Sequence, residues 1–351
     1  MKIVVLAGGL SNERNVSLAS GFMVTKALRK NNEVAFVDLF MGVDDDISFK
    51  DLSMKDINED LINVSEDIPN FKDIINIRGY KSNAIIGKNV LNICKEVDLV
   101  FLALHGESGE DGRIQATLDM LGIPYTGSDY LASALAMNKN LTKELVKNAG
   151  IRTPNWNKVF ISDKDYIDEL VNSTKIPVVV KVPNSGSSVG VFIVNTKEEL
   201  RDVLEFNIGN TVLLEEYIEG REIQMAFLGD MPLPSIEIIS NRDFYNYSSK
   251  YQKGVATEIT PANITKEQES EMGRMLMKVV SVLGLYTYSR ADFIIDNDGK
   301  IWFIEINSLP GMTSTSLVPQ EAKAIGIDFV NLCQIMVNDG VKRKVGINKY
   351  I

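Results

Sequence analysis

Histidine, cysteine and long apolar runs are scarce in this sequence. The chain of 351 residues holds one histidine, His105, and two cysteines, Cys94 and Cys333. Both cysteines stand in apolar surroundings, which favours reduced core residues over a disulfide or a metal pair. This cysteine usage fits a reducing cytoplasm, where we expect the protein to act.

No apolar stretch approaches the roughly 20 residues that cross a bilayer, and the opening MKIVVLAGGL is too short for a signal peptide. Positive charge is also in the minority, because 37 Lys and Arg stand against 47 Asp and Glu and give a formal net charge of -10. Nucleic acids are bound by clustered positive charge. We therefore expect a soluble protein with neither a membrane partner nor a nucleic-acid partner.

What is present is an ordinary globular composition, with 45% hydrophobic and 24% charged residues. The length exceeds what one hydrophobic core usually covers, so two or three domains are expected. The opening KIVVLAGG, followed by apolar residues at helical spacing from Glu13 to Lys30, predicts the start of a βαβ unit. A full G-x-G-x-x-G is missing after Gly8 and Gly9, which argues against a dinucleotide site. The acid-rich residues 43–72 are predicted to be solvated helices and loops.

The run VDLVFLAL predicts a buried parallel strand that delivers His105 to its carboxyl end, the edge at which α/β sheets bind ligands. The polar loop GESGEDG follows. We expect Glu110, Asp111 and Gly112 to cap and begin the next helix, which extends to about residue 121.

Strand-turn-strand patterns dominate the second half of the chain, after a long helix predicted over about 131–148 and a domain boundary at 149–156. PVVVKVPNSGSSVGVFIV predicts a hairpin, TKEELRDVLEF a helix, and TVLLEEYIEGREIQMAFLGD a second strand-turn-strand unit. The turn NDGK predicts a hairpin of YTYSRADFIID with KIWFIEIN. These patterns indicate a small α+β domain over about 150–215, followed by antiparallel strands.

Two residue groups in this half are candidates for phosphate and metal chemistry. The small residues of NSGSSVG, 184–190, permit close approach of backbone N–H groups to an anion, and Lys181 precedes them on a strand. The alternative is an ordinary turn. Asp292, Glu305 and Asn307 offer hard oxygen ligands for Mg²⁺ from the two strands of a hairpin. A buried salt bridge of Asp292 with Arg290 is the alternative.

Two further segments are weaker candidates. EEYIEGRE, 215–222, places backbone groups and Glu222 where a base and ribose could bind, although taken alone it is better explained as a solvated strand end. NSLPGMTSTSLVP, 307–319, exposes backbone N–H groups near Gly311, and its Ser/Thr run either holds a carboxylate or caps a helix that begins near Ser316.

In this order, GGLSNERNVSLASG, HGESGEDGRIQ, YTGSDYLASALAMNK, KVPNSGSSVGV, NYSSKY, SRADF and EINSLPGMTSTSLVP resemble the D-alanine:D-alanine ligases of the ATP-grasp superfamily, over about residues 2–320. The resemblance implies an ATP-grasp fold of class α/β and α+β with three domains. These are an N-terminal parallel-sheet (preATP-grasp) substrate domain at 1–125, a small central α+β domain at 126–215, and a C-terminal antiparallel-sheet domain at 216–351 with a lid loop at 241–263.

The resemblance also implies the reaction. ATP is the co-substrate with two Mg²⁺ ions, for which Mn²⁺ substitutes, and its γ-phosphate passes to one D-alanine. A second D-alanine attacks the D-alanyl phosphate to give the dipeptide of peptidoglycan precursors, used in cell wall biogenesis and cell shape. The lid would exclude water from the acyl phosphate. The family suggests a homodimer. There are two alternatives. The enzyme could use another acceptor such as D-serine in the same reaction, or the protein could be a non-catalytic ATP-binding regulator.

Site residues follow from the matched motifs. Two groups have catalytic roles. The triad that closes the active-site loop is Glu13, Ser187 and Tyr251, and the oxyanion site is Arg290 with the N–H of Gly311. Substrate contacts fall to Val16, His105, Ser316 and Leu317. ATP contacts fall to Lys139, Lys181, Ser188, Glu215, Glu216, Tyr217, Ile218, Glu222 and Lys250. The metal ligands are Asp292, Glu305 and Asn307.

The sequence departs from the family pattern at a few positions. Asn138 replaces an aspartate, Val182 a common proline and Glu216 a frequent lysine, and we expect altered affinity with activity retained. Tyr251, where depsipeptide ligases have phenylalanine, favours dipeptide synthesis. His105 is predicted to contact and orient the substrates near the acyl phosphate without acting as an essential base.

Overall fold

Three sheets organise the part of the chain that the computed structural model describes, residues 1–62, 69–182, 190–240 and 256–349. The first sheet is parallel, in the order β2-β1-β3, and its strands are β1 (Lys2–Ala7), β2 (Glu33–Asp38) and β3 (Leu99–Leu102). Helix α1 (Arg14–Leu28) connects β1 to β2, which confirms the predicted βαβ unit. Every residue of β3 is buried, as is typical of a parallel strand covered on both faces.

Short helices surround this sheet. They are α2 (Phe49–Met54), α3 (Phe71–Ile77), α4 (Val90–Lys95) and α5 (Arg113–Met120), with a 3-10 turn at Glu59–Ile62. Helix α5 begins after Gly112, whose φ is +89° and whose missing Cβ would lie 2.2 Å from the carbonyl oxygen of Tyr130. Asp111 supports the first turn by accepting a 3.1 Å hydrogen bond from the N–H of Arg113. Both residues therefore begin the helix as predicted.

The single helix predicted over 131–148 is wrong, because the chain breaks at Asn138. Helix α6 (Tyr130–Met137) ends there and α7 (Lys139–Asn148) begins. Asn138 has extended backbone angles, and its side-chain oxygen accepts a 3.1 Å hydrogen bond from the N–H of Leu141. Such an N-cap satisfies a donor at the helix start and so favours a new helix over continuation.

The second sheet is antiparallel, in the order β4-β7-β5-β6. Its strands are β4 (Trp156–Phe160), β5 (Val178–Lys181), β6 (Val191–Val194) and β7 (Thr211–Glu216), and its helices are α8 (Lys164–Ser173) and α9 (Lys197–Phe206). Lys181 pairs with Val191, which confirms the hairpin predicted on both sides of the Gly/Ser loop. Thr196 and Glu199 form a capping box at the start of α9, the helix predicted from TKEELRDVLEF.

The third sheet is antiparallel, in the order β11-β10-β8-β12-β13, with β9 beside β8. Its strands are β8 (Gly220–Leu228), β9 (Met231–Pro232), β10 (Ile236–Ser240), β11 (Ala256–Ile259), β12 (Tyr288–Asp296) and β13 (Ile301–Asn307). Helices α10 (Lys266–Leu283), α11 (Leu317–Ala324) and α12 (Phe329–Val341) follow these strands, and a 3-10 turn lies at Gly346–Lys349. The predicted β12–β13 hairpin is confirmed.

Strands β7 and β8 were predicted as one strand-turn-strand unit, but they belong to different sheets. Strand β7 pairs with β4 and β5, whereas β8 pairs with β10 and β12. Residues 217–219 therefore carry the chain from the second sheet to the third. Alternating apolar residues predict strands, but they do not say which sheet each strand joins.

Separate hydrophobic cores lie beside the sheets. One combines the parallel sheet with α12, through Leu332, Met336 and Val337. Another joins α6 and α7 to α10 and the third sheet, and a third core lies within the second sheet and its helices. These cores fit the predicted α/β and α+β class, while the domain boundaries stay a prediction. In the described ranges no helix is long and apolar enough to span a bilayer.

Candidate active site

A cavity of about 220 Å³ lies between the second and third sheets. Apolar side chains from both sheets line it, among them Val179, Ile193 and Phe293. The lining also contains most of the predicted nucleotide and metal residues, namely Lys181, Glu215, Glu216, Tyr217, Ile218, Glu222, Asp292 and Glu305. The residues that line the cavity therefore come from both sheets, and the packing of the two sheets forms the cavity.

Lys181 and Glu215 form a buried ion pair at the wall of this cavity. Lys181 Nζ lies 2.8 Å from Glu215 Oε1. Burial opposes the charge of the lysine, but the carboxylates of Glu215 and Glu305 outweigh that cost and raise the pKa of Lys181 above its ordinary value. The lysine is therefore a fixed positive charge, as a phosphate anchor requires.

Residues 216–218 follow Glu215 in the segment that joins the second sheet to the third. Glu216 is exposed, and its Oε2 accepts a 2.9 Å hydrogen bond from the side-chain amide of Asn155. Its side chain is thus engaged at the surface, while Tyr217 and Ile218 line the cavity. Glu222 lines it further along β8.

Three acceptor side chains lie in a row across the third sheet. Asp292 on β12 is paired with Gln224 on β8 and with Glu305 on β13, and directly paired side chains share a face of the sheet. Asn307 follows two residues after Glu305 on the same strand. Arg290 donates two hydrogen bonds to Asp292, of 2.9 and 3.2 Å. The salt bridge considered as the alternative is thus present beside the carboxylate pair.

These residues fit a hard divalent cation. In the described part of the chain, no three His, Cys, Asp or Glu side chains are grouped closely enough to hold a metal ion on their own. The third predicted ligand is an amide, and Asn307 Nδ2 is buried without a hydrogen-bond partner among the described residues. Two carboxylates and an amide oxygen are the donor types that Mg²⁺ accepts. Lys139, at the start of α7, lies 3.7 Å from Glu305 and adds positive charge at the edge of the group.

His105 is buried at the end of β3, and both ring nitrogens contact protein atoms. Nδ1 lies 2.9 Å from the carbonyl oxygen of Leu309, and Nε2 lies 2.9 Å from Ser20 Oγ. A carbonyl only accepts, so Nδ1 carries the proton, and Nε2 accepts from the serine, whose oxygen in turn accepts from the N–H of Met312 at 3.2 Å. Burial lowers the pKa of His105 to about 4. The neutral ring therefore connects the parallel sheet to the loop after β13.

Glu110 makes a second connection to the same loop. Its Oε2 accepts a 2.8 Å hydrogen bond from the N–H of Gly106, and its Oε1 accepts a 3.2 Å hydrogen bond from the N–H of Leu309. The expectation that Glu110 caps the following helix is therefore wrong, because both oxygens bond elsewhere. Burial and the charge of Glu13 raise the pKa of Glu110 to about 8.

The predicted substrate residues lie around this junction. Glu13 is buried at the start of α1, and its Oε2 lies against Gly106, where an added Cβ would be 3.0 Å away. Val16 is fully buried one turn further on. Ser316 precedes α11 and its Oγ accepts a 2.9 Å hydrogen bond from the N–H of Thr313.

Gly311 and Leu317 complete the loop after β13. An added Cβ at Gly311 would lie 2.7 Å from Ser316 Oγ, so the loop is closely packed there. Ser316 occupies the N-cap position of α11 as predicted, but its side chain makes no capping hydrogen bond to that helix. Leu317 is buried with Ile236 and Ile238 of β10. Four predicted residues, Ser187, Ser188, Lys250 and Tyr251, lie outside the described residues, as does most of the predicted lid.

Comparison with known proteins identifies the fold and the family. Two family models match, the D-ala D-ala ligase N-terminus over residues 2–128 and the D-ala D-ala ligase C-terminus over residues 145–338. The D-alanine--D-alanine ligase of Lacticaseibacillus casei is 40% identical over 347 residues, which cover 97% of this chain and 96% of that protein. The chain belongs to the D-alanine–D-alanine ligase family.

Solved structures of this family share the whole architecture. The D-alanine--D-alanine ligase of Bacillus anthracis complexed with ATP superposes with a TM-score of 0.72 and 29% identity, and the match covers 100% of this chain and 98% of that chain. The VanG D-Ala:D-Ser ligase of Enterococcus faecalis gives a TM-score of 0.74 and 28% identity, covering 97% of this chain and 99% of that chain. The predicted ATP-grasp fold of the D-alanine–D-alanine ligase family is thus confirmed.

Two site residues were missed from the sequence. Glu110 was interpreted as a helix cap, because acids are common in first turns. Lys143 lies on α7 with 1% of its surface exposed, and it is paired with Glu215. Its spacing of four residues from Lys139 places both lysines on one helix face, a signal that could have identified it.

Proposed function

We propose that this protein joins two D-alanines with ATP, through a D-alanyl phosphate, and supplies the dipeptide for peptidoglycan precursors. The observation that carries the proposal is the meeting of Lys181, Glu215, Asp292 and Glu305 in one cavity between the second and third sheets. The family membership supports the reaction type, and the non-catalytic alternative is not favoured.

Phosphoryl transfer depends mainly on positioning and charge neutralisation. Lys181 and Lys139 supply positive charge at the cavity and beside Glu305, and the segment 216–218 offers backbone groups for the base. Asp292, Glu305 and Asn307 would hold Mg²⁺ or Mn²⁺, which neutralises phosphate charge when bound. Arg290 and the N–H of Gly311 are proposed to receive the charge that develops on the carboxylate under attack.

The amino-acid substrates are proposed to bind where the parallel sheet meets the loop after β13. Glu13 supplies a buried negative charge for an ammonium group, with Val16 beside it. His105 holds the Leu309 backbone through Nδ1 and Ser20 through Nε2, so it positions the pocket through the loop. This neutral ring agrees with an orienting role and not with an essential base. Ser316 and Leu317 are proposed to contact the second D-alanine.

Ser187 and Tyr251 are proposed to close the site together with Glu13, and Ser188 and Lys250 to contact the phosphates. The cytoplasmic location and the homodimer stay predictions that follow from the family and the sequence. The domain limits at 1–125, 126–215 and 216–351 also stay predictions.

An amino-acid panel tests the proposed function. Protein, ATP and Mg²⁺ are mixed with D-alanine, D-serine, D-lactate or L-alanine, and phosphate release is followed. We expect release that depends on D-alanine and a D-alanyl-D-alanine product. In competition, D-alanine should exclude D-serine as the acceptor. Phosphate release without any D-alanine dependence would refute the proposal.

A further inference from the structure

Lys143 on helix α7 links the second sheet to the helix, which itself packs against the third sheet. Helix α7 packs through Val146 into the core that contains α10 and the third sheet. Lys143, one turn before Val146, reaches Glu215 of the second sheet, with 3.0 Å between its Nζ and Glu215 Oε2. It also donates a 2.8 Å hydrogen bond to Thr153 Oγ1. The Trp156 ring covers the ammonium group, with 5.1 Å between Nζ and the ring centroid.

Glu215 is consequently shared by two lysines. Lys181 lies 2.8 Å from Oε1 and Lys143 lies 3.0 Å from Oε2. All three side chains are at least nine-tenths buried. With two cations on one carboxylate, Lys143, Glu215 and Lys181 together carry a net positive charge of one next to the nucleotide cavity. Glu305 and Asp292 act on Lys181 from the third sheet and offset part of this charge.

The second lysine on Glu215 strengthens the electrostatic attraction between Lys181 and a phosphate. If Lys181 faced Glu215 alone, the carboxylate would neutralise it and little attraction for a phosphate would remain. Because Lys143 compensates the carboxylate from the other side, Lys181 retains its charge for a phosphate. Lys143 does not line the cavity itself, so it acts through Glu215.

We propose that Lys143 is a positioning residue of the nucleotide site, which holds Glu215 and so preserves the positive charge of Lys181 for the ATP phosphates. The inference rests on the proposed ligase function. It adds a residue outside the cavity whose removal should weaken nucleotide binding.

The pKa shifts of Lys143 and Lys181 differ in direction, which agrees with a positioning role for Lys143 and a phosphate-binding role for Lys181. Burial lowers the pKa of Lys143 to about 8, although Glu215 opposes the shift. Lys181, which also faces Glu215, has a raised pKa. The other charged groups that act on Lys143 are Lys181 of β5, which lowers its pKa, and Glu305 of β13, which raises it. As the pH rises through about 8, Lys143 therefore loses its proton before Lys181 does.

Affinity for Mg²⁺–ATP, measured by calorimetry on the full chain without amino acids, tests the proposal. We expect Lys143→Met to weaken binding at least ~10-fold, which corresponds to about 1.4 kcal/mol. Lys147→Met is the matched control, because this exposed lysine lies over the same Trp156 ring, also at 5.1 Å. It should bind like the wild type.

A second substitution separates charge compensation from a structural role. Glu215→Gln alone is the reference, because Glu215 itself lines the nucleotide cavity. If Lys143 acts through the carboxylate, adding Lys143→Met to Glu215→Gln should cost little further affinity. A role that is independent of the carboxylate predicts the same ~10-fold loss in both backgrounds. Wild-type affinity should also fall as the pH rises through about 8, and this fall should be absent from the double variant. The fall in wild-type affinity needs no variant, so it can still be measured if Lys143→Met does not fold.

Three results would overturn the inference: Lys143→Met binding within twofold of the wild type, an equal loss from Lys143→Met in the wild-type and Glu215→Gln backgrounds, or a wild-type affinity that is flat across pH 8. Failure of the wild type to bind ATP would instead overturn the proposed function. Because the wild type is measured first, the two failures are distinguishable.

Discussion

Asp292 and Glu305 lie directly opposite each other on the antiparallel strands β12 and β13. Two carboxylates in this relationship repel each other unless positive charge lies near them. Arg290 bonds to Asp292 and Lys139 approaches Glu305, so each acid has a cation beside it. The pair therefore has positive charge beside it and is directed to one face of the sheet, which is the arrangement that a divalent cation would use.

Replacing Asp292 by asparagine tests the importance of this pair. The change removes one hard oxygen charge and weakens the bidentate bond to Arg290, so we expect ATP turnover to fall at least ~100-fold. Asp298→Asn is the control, because this exposed acid lies in the β12–β13 turn and its carboxylate pairs with Lys300, away from the cavity. Steady-state phosphate release measures both. Equal activity of Asp292→Asn and the control would contradict the assignment.

The protonation of His105 gives a second prediction. The pKa of the ring is lowered to about 4, so the ring should stay neutral down to about pH 5. As the only histidine in the chain, it gives a single imidazole Hε1 signal in NMR spectra. We expect this signal to remain unshifted between pH 8 and 5. Titration near the ordinary value of about 6.5 would contradict the buried hydrogen bonds.

The free energy of unfolding should also depend on the protonation of His105. The folded-state pKa of His105 lies below the unfolded value, so the neutral ring contributes stability above about pH 6.5, and this contribution is lost as the pH falls towards 4. His105→Gln should therefore flatten the loss of unfolding free energy over this range. It should also lower kcat/KM, because the loop at Leu309 loses its link to β3. An unchanged kcat/KM would refute the orienting role.

The break between α6 and α7 provides a third test. Asn138→Ala removes the oxygen that caps α7 and should cost about 1 kcal/mol of unfolding free energy. Asn138→Asp restores the residue that is usual in the family, keeps the cap and places negative charge at the helix start, so it should be neutral or stabilising by about 0.5 kcal/mol. Urea unfolding with an unchanged m-value measures both. Equal midpoints for alanine and asparagine would show that the cap does not hold the break.

Sequence patterns were sufficient where one local rule decides the structure. Alternation and the NDGK turn predicted the β12–β13 hairpin and hence the neighbouring positions of Asp292 and Glu305. The long predicted helix failed at Asn138 because apolar spacing continues across the break while side-chain capping decides it. Helical spacing alone does not distinguish these outcomes.

Contacts between segments that are distant in sequence were beyond these patterns. The pairing of Lys143 with Glu215 depends on how α7 lies against the second sheet, and the bond of His105 to Leu309 depends on how the loop after β13 reaches β3. The change of sheet between β7 and β8 is of the same kind. Each depends on three-dimensional packing, which the family resemblance implied only at the level of the fold.

The most direct test of the account is the dependence of phosphate release on D-alanine. Protein, Mg²⁺ and ATP are incubated with and without D-alanine, and released phosphate and D-alanyl-D-alanine are quantified together. The account predicts negligible release without D-alanine, and with it one dipeptide formed for each phosphate released. Phosphate released at the same rate without D-alanine, or no dipeptide formed, would contradict it.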